Sequence, residues 1–213
     1  MNRKLAAACT AALLFSMPLA AQSDPAQTAP GSPDASRITG GTYQADPNHT
    51  LVEWEVDHLG FSPYFGLFGD VTGTLQLDPA APQNAKVDVT IPVAKVTTAS
   101  EGLTGHLLRA GKDGAKPDFF GPSPEDARFV STSVEPIGPD SAKVTGDLTL
   151  NGVTKPVTLD VRFFGAGTMA DKENVGFEAE TTIMRSDFGL GFLVPLVSDE
   201  VELKIAAAFA KGE

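Results

Sequence analysis

Residues 143 to 163 alternate apolar and polar positions on both sides of an Asn151-Gly152 pair. Ala142, Val144, Gly146, Leu148 and Leu150 share one face of an extended strand, and Val157, Leu159, Val161 and Phe163 share one face of the next. Asn-Gly accepts the positive φ that both central positions of a type I′ turn require, so the pattern predicts a β-hairpin. Upstream, Val52, Trp54 and Val56 alternate with Glu53, Glu55 and Asp57, which turns Trp54 inward. The same period recurs at Val71, Gly73, Leu75 and Leu77, at Val87, Val89, Ile91 and Val93, and around residues 128 to 135. It closes the chain at Val175, Phe177, Ala179, Thr181 and Ile183, and at Val201, Leu203, Ile205, Ala207 and Phe209. Glycine on an inward face removes side-chain volume, which permits bending or leaves room for something else.

Residues 61 to 68 abandon alternation, with Phe61, Tyr64, Phe65, Leu67 and Phe68 crowded around Pro63, and predict a loop or short helix. Residues 101 to 108 predict a helix, with Ser100 as N-cap and Leu103 and Leu107 at helical spacing. The run Gly165-Ala166-Gly167-Thr168-Met169-Ala170 matches a dinucleotide-binding G-x-G-x-x-A string, but an alternating run follows it where a helix should open. It predicts a flexible interstrand loop instead. The sum is about eight strands with one helical insertion: a mainly all-β, antiparallel barrel. At that strand number the interior is either filled by side chains or wide enough for a small ligand.

The N-terminus changes the picture of where this barrel works. Arg3 and Lys4 precede an uncharged stretch ending in Leu19, Ala20 and Ala21, the layout of a secretory signal peptide over residues 1–21. Cys9 is the lone cysteine, so the exported chain has no disulfide, thiolate nucleophile or cysteine metal ligand. Residues 22–40, rich in Ala, Pro, Ser, Asp and Gly, bury too little to order themselves and predict a flexible tether. Residues 41–213 then form one domain. Removal of residues 1–21 takes away two basic groups and no acid, leaving 14 Lys plus Arg against 27 Asp plus Glu, a net charge of −13. Such a surface disfavours nucleic acid as a partner.

Little in the sequence points to catalysis. His49 and His58 lie an odd number of residues apart, which turns them to opposite faces of a strand, and neither they nor His106 have metal-ligand spacing. No G-x-S-x-G elbow is present, so no catalytic residue and no metal site is assigned. Arg185 and Asp187 predict either a structural ion pair or hydrogen-bond anchor at a barrel rim, or an Arg185 that donates to a polar ligand head. Arg109 either caps the preceding helix or faces a ligand.

Taken in order, several segments resemble the YceI-like family of exported lipid-binding proteins. They are Tyr43-Gln44-Ala45-Asp46-Pro47-Asn48-His49-Thr50, Val52-Glu53-Trp54, Asp57-His58-Leu59-Gly60, His106-Leu107-Leu108-Arg109 and Asp118-Phe119-Phe120. Phe129-Val130-Ser131-Thr132, the run from Gly146 through Asn151-Gly152-Val153-Thr154, and Arg185-Ser186-Asp187-Phe188-Gly189 complete the series. The resemblance implies a lipocalin-like barrel, periplasmic or otherwise exported and often a homodimer, whose cavity binds a polyisoprenoid or related amphiphile. Residues 110–117 form a longer, glycine-containing connection than the family pattern has.

Such a ligand suits an apolar interior. An isoprene unit has five carbons, and at about 0.8 kcal/mol per buried CH₂ one unit contributes a few kcal/mol before ordering costs. Strand parity then assigns Val52, Trp54, Val56, Leu75, Val89, Ile91, Phe129, Leu148, Leu159, Val161, Phe177 and Ile183 to the ligand cavity. His58, His106, Arg109 and Arg185 are the candidate contacts for a polar head. The expected role is a non-enzymatic carrier, with bound lipid and no other cofactor. Its rivals are an enzyme acting on a lipid-like substrate, with His58, His106 or Asp187 as acid or base, and a structural barrel with a filled core.

Overall fold

The computed structural model describes residues 28–212. The expected signal peptide, residues 1–21, lies outside the described residues. Eleven strands run β1 (Gly31–Ser32), β2 (Gly41–Ala45), β3 (Leu51–His58), β4 (Ser62–Phe68), β5 (Thr72–Leu77) and β6 (Lys86–Ile91), then β7 (Ala127–Pro136), β8 (Ser141–Leu150), β9 (Val153–Met169), β10 (Lys172–Met184) and β11 (Glu200–Lys211). One α-helix, α1 (Glu101–Leu108), interrupts them between β6 and β7.

Eight strands close an antiparallel ring in the order β2-β5-β6-β7-β8-β9-β10-β11 and back to β2. The number of ring strands is the one expected, but their membership differs. β2, too short to show as an alternating run, pairs with residues 209–211 of β11, while β3 pairs with residues 202–206 of the same edge. The β3–β4 hairpin therefore extends the sheet beside the ring, and its edge is held by a bridge between Leu67 and Thr97.

The central hairpin forms as its sequence requires. Asn151 and Gly152 take φ of 52° and 74°, and β8 and β9 pair from Leu150 with Val153 out to Ser141 with Arg162. The helix begins at Glu101, and the Ser100 hydroxyl accepts the Leu103 N–H at 3.3 Å, which satisfies one of the free donors of its first turn.

Three expectations are corrected. Residues 61–68 contain β4 rather than a loop or helix: Tyr64 turns to the interior while Phe65 and Leu67 take the other face. With apolar residues on both faces, the period of two vanishes from the hydropathy. Residues 165–169 belong to β9, not to a loop, and the reversal falls instead at Ala170 and Asp171, with φ of 49° and 62°.

The third correction concerns the tether. Gly31 and Ser32 pair with Gly167 and Ala166, so the C-terminal part of the expected linker is fastened to the barrel. Gly167 makes this possible, because a Cβ there would lie 2.2 Å from the Pro30 carbonyl oxygen. Asp34 accepts from Ser36 N–H at 3.0 Å to start a short turn, and Ile38 packs on the core. Glu173 completes the clasp by accepting from Thr39 N–H at 3.0 Å and from the Tyr43 hydroxyl at 2.5 Å.

Candidate functional site: an apolar cavity along the barrel

The inward faces do not fill the ring. At one end Tyr43, Ala45, Leu75, Phe163, Ala166, Val175 and Phe209 pack as a core, and at the other Ile183, Phe188 and Val201 pack as a smaller one. A cavity of about 430 Å³ runs along the barrel interior, a size within the range of small-molecule sites. Its wall is mostly Val, Leu, Ile, Ala and Phe, with Trp54, Tyr64, His58, His106, Arg185, Pro82 and three threonines among them.

All twelve residues chosen by strand parity lie on this wall: Val52, Trp54 and Val56 from β3, Leu75 from β5, and Val89 and Ile91 from β6. Phe129 comes from β7, Leu148 from β8, Leu159 and Val161 from β9, and Phe177 and Ile183 from β10. The inward glycine Gly146 does not add free volume. The Phe129 ring occupies its place, and a Cβ on Gly146 would lie 2.5 Å from Phe129 Cζ.

The polar candidates separate. His58, at the end of β3, and His106, on α1, both line the cavity. His106 lies edge-on to Phe119 and Phe192, with ring centroids 5.3 and 5.9 Å away. Its Nε2 is 2.9 Å from Asp118 Oδ2 and 2.8 Å from Arg109 Nη2, and Asp118 Oδ2 accepts from Arg109 Nη2 at 2.7 Å. Arg109 is exposed and is not among the lining residues, so it serves Asp118 and the His106 ring rather than the helix carbonyls or the cavity itself. Its hydrogen bond, followed by that of His106, holds the Asp118 carboxyl below the usual range.

Arg185 also lines the cavity, but its guanidinium serves as a buried anchor. It donates from Nε to Ser198 O at 2.8 Å, from Nη2 to Val197 O at 2.8 Å and from Nη1 to Leu190 O, which ties down the loop that follows β10. With its guanidinium aimed at three carbonyls, it makes no ion pair with Asp187, which stays exposed. Burial lowers its affinity for a proton from the ordinary arginine value, and a guanidinium remains charged all the same.

The histidines do not converge. His49 binds Asp46 at 2.6 Å on the surface, and among the described residues no three His, Cys, Asp or Glu side chains come close enough to hold a metal. The long connection 110–117 stays off the cavity wall.

Several contributors were not foreseen. Residues 189–198 supply Leu190, Phe192, Leu193 and Val197 to the wall, and Phe119 and Phe120 close it beside α1. The run from Gly189 to Ser198 carries no charge, a signal the strand period overlooks. Two polar atoms in this region, Trp54 Nε1 and the Tyr64 hydroxyl, are buried without partners. Their rings are neighbours, with centroids 6.4 Å apart. Unmet buried donors in an apolar wall are costly.

Lining side chains that are also exposed mark where the cavity reaches the surface. His58, Leu103 and Leu193 do so at one end, between the β3–β4 turn, α1 and the loop 189–198, and Pro82 does so between β5 and β6.

The chain matches the family model "YceI-like domain" over residues 43–209. It is 38% identical over 176 residues to the Escherichia coli protein YceI, covering 81% of this chain and 88% of that one. Among solved structures, Burkholderia cenocepacia BcnA superposes with a TM-score of 0.62 at 26% identity, covering 77% of this chain and 98% of BcnA. A polyisoprenoid binding domain from Saccharophagus degradans, implicated in plant cell wall breakdown, shares the fold with a TM-score of 0.56 at 13% identity, over 80% of this chain and 98% of that domain. A closed eight-strand barrel, a matched domain spanning most of its length and a close curated relative establish that this chain belongs to the YceI-like family.

Proposed function

We propose that the protein is an exported, periplasmic carrier or sequestering protein that holds a polyisoprenoid or similar long amphiphile in its barrel, without catalysing a reaction. The observation that carries this reading is the cavity of about 430 Å³ with an apolar wall running along the barrel. An extended hydrocarbon tail gains from such a wall at every carbon, without a charge to hold it. The polyisoprenoid-binding activity named for the Saccharophagus degradans domain, which shares this fold, supports the same ligand class.

The enzymatic alternative draws less support. Asp187 stands exposed, and His106 is engaged by Asp118 among aromatic rings. The test is mass spectrometry of an organic extract of the purified mature protein. A co-purifying long-chain isoprenoid or comparable amphiphile in near-stoichiometric amount is expected, and protein free of lipid after gentle purification refutes the reading. Export is tested by cell fractionation, with the mature N-terminus expected close to Ala21 or Gln22 and the protein outside the cytoplasm.

A further inference from the structure

We propose that the rim of the cavity is a membrane-docking surface, on which the turn at residues 59–61 and the loop 189–198 insert apolar side chains into a lipid bilayer. The inference rests on the lipid-carrier reading, since it concerns how cargo enters and leaves.

Phe61 is 86% exposed, Leu196 60%, Leu193 45% and Leu59 41%. Isolated exposed apolar residues are ordinary, but these four belong to one connected rim. Leu59 N–H donates to Leu196 O at 2.9 Å, Val197 N–H donates to Leu193 O at 2.9 Å, and His58 bridges Val197 across the two segments. Leu59 and Leu193 both take positive φ, 62° and 60°. That conformation is uncommon for a bulky side chain, and backbone strain of this kind collects at functional sites. Here it accompanies two leucines that stand in solvent.

The charge pattern points the same way. Residues 59–69 and 188–198 contain no Asp, Glu, Lys or Arg, in a chain of which a fifth is charged. The exposed Asp57 carboxylate borders these segments, accepting from Gly60 N–H at 2.7 Å, but a rim whose own exposed side chains are uncharged and apolar does not suit an acidic or basic partner. It suits a hydrocarbon interior, and it is continuous with the cavity: Leu193 is at once exposed and part of the wall, next to the lining residue Phe192. A lipid tail moving along this path leaves the bilayer and enters the barrel without crossing water. The net charge of −13 left after removal of residues 1–21 opposes attraction to anionic headgroups, so insertion rather than charge supplies the contact.

The experiment is co-sedimentation of the mature protein with phosphatidylcholine vesicles. Wild type is expected to bind with little change in 0.5 M NaCl. The exposed pair Phe61→Ser and Leu196→Ser is expected to weaken binding at least tenfold while leaving the circular dichroism spectrum unchanged. Phe164→Ser, which removes an exposed phenylalanine from β9 away from the rim, is expected to bind as wild type does. Equal binding by the rim variant, or no binding by wild type, overturns the inference. So does a wild-type dimer that the rim substitutions convert to monomer without any vesicle binding, because the rim would then cover a second copy. The lipid extract separates the two readings: a protein with extractable lipid but a rim indifferent to vesicles refutes docking alone, whereas absence of lipid refutes the carrier.

Discussion

Arg185 shows how a single buried side chain holds the end of the barrel that carries the loop 189–198. Its guanidinium faces carbonyls from Leu190, Val197 and Ser198, all in the loop that supplies cavity wall. Arg185→Met removes the donors and leaves those carbonyls unmet, an expected loss of about 3 kcal/mol in urea-unfolding free energy. Arg185→Lys, with a point charge in place of a planar fork, is expected to recover only part of it. At the opposite end Glu173 and Tyr43 share a hydrogen bond that shifts both groups. Burial raises the Glu173 carboxyl, but donation from Thr39 and Tyr43 outweighs it and leaves the group below its ordinary 4.5. Its stabilisation is therefore complete above that value and is lost as pH falls through the lowered one. The advantage of wild type over Glu173→Gln in thermal unfolding is expected to shrink in that acid window. Burial and then the Glu173 hydrogen bond push the Tyr43 phenol up to about 12, so its contribution is present below 10.0 and lost on approach to the higher value. An absorbance titration is expected to show Tyr43 ionising late.

At the scale of elements, the N-terminal clasp is a strand that exists because its neighbour has glycines. With β1 paired to Gly167 and Thr39 bonded to Glu173, added protease is expected to cut before Gly31 and to spare residues 31–40. Gly167→Val places a branched side chain where the Pro30 carbonyl now sits. Cleavage within 31–40 is then expected, with the unfolding midpoint of the ring nearly unchanged; continued protection would show that the clasp does not depend on that close approach. The clasp also explains where the sequence misleads. A strand with one wet and one dry face announces itself by alternation, and β8, β9, β10 and β11 are legible for that reason. β4 has apolar residues on both faces, β2 is five residues long, and β1 is two, with its order supplied by a partner more than a hundred residues away. The cavity wall contributed by strands was legible by parity, whereas Phe192 and Leu193, placed by an irregular loop that Arg185 anchors, were not.

At the scale of the whole molecule, the ring leaves its centre open because several inward positions hold small residues beside large ones. Val161 illustrates the arrangement: its cross-strand partners are Ala142 on one side and Ala179 on the other, and all three line the cavity. A filled core and a cavity answer the same substitution differently. Val161→Phe adds bulk that a packed interior accepts only at a cost of about 1–3 kcal/mol. Between two alanines and facing open space, the ring can extend into the volume a lipid tail would use. The expected outcome is an unfolding midpoint of the lipid-free protein close to that of wild type, together with a severalfold fall in extractable lipid. Trp54, the single tryptophan and a wall residue of β3, reports the same event, with its emission expected to shift on delipidation and to return when a polyprenyl lipid is added. A Val161→Phe protein that is strongly destabilised without lipid, or that retains its full lipid content, would mean that the tail does not pass between Ala142 and Ala179.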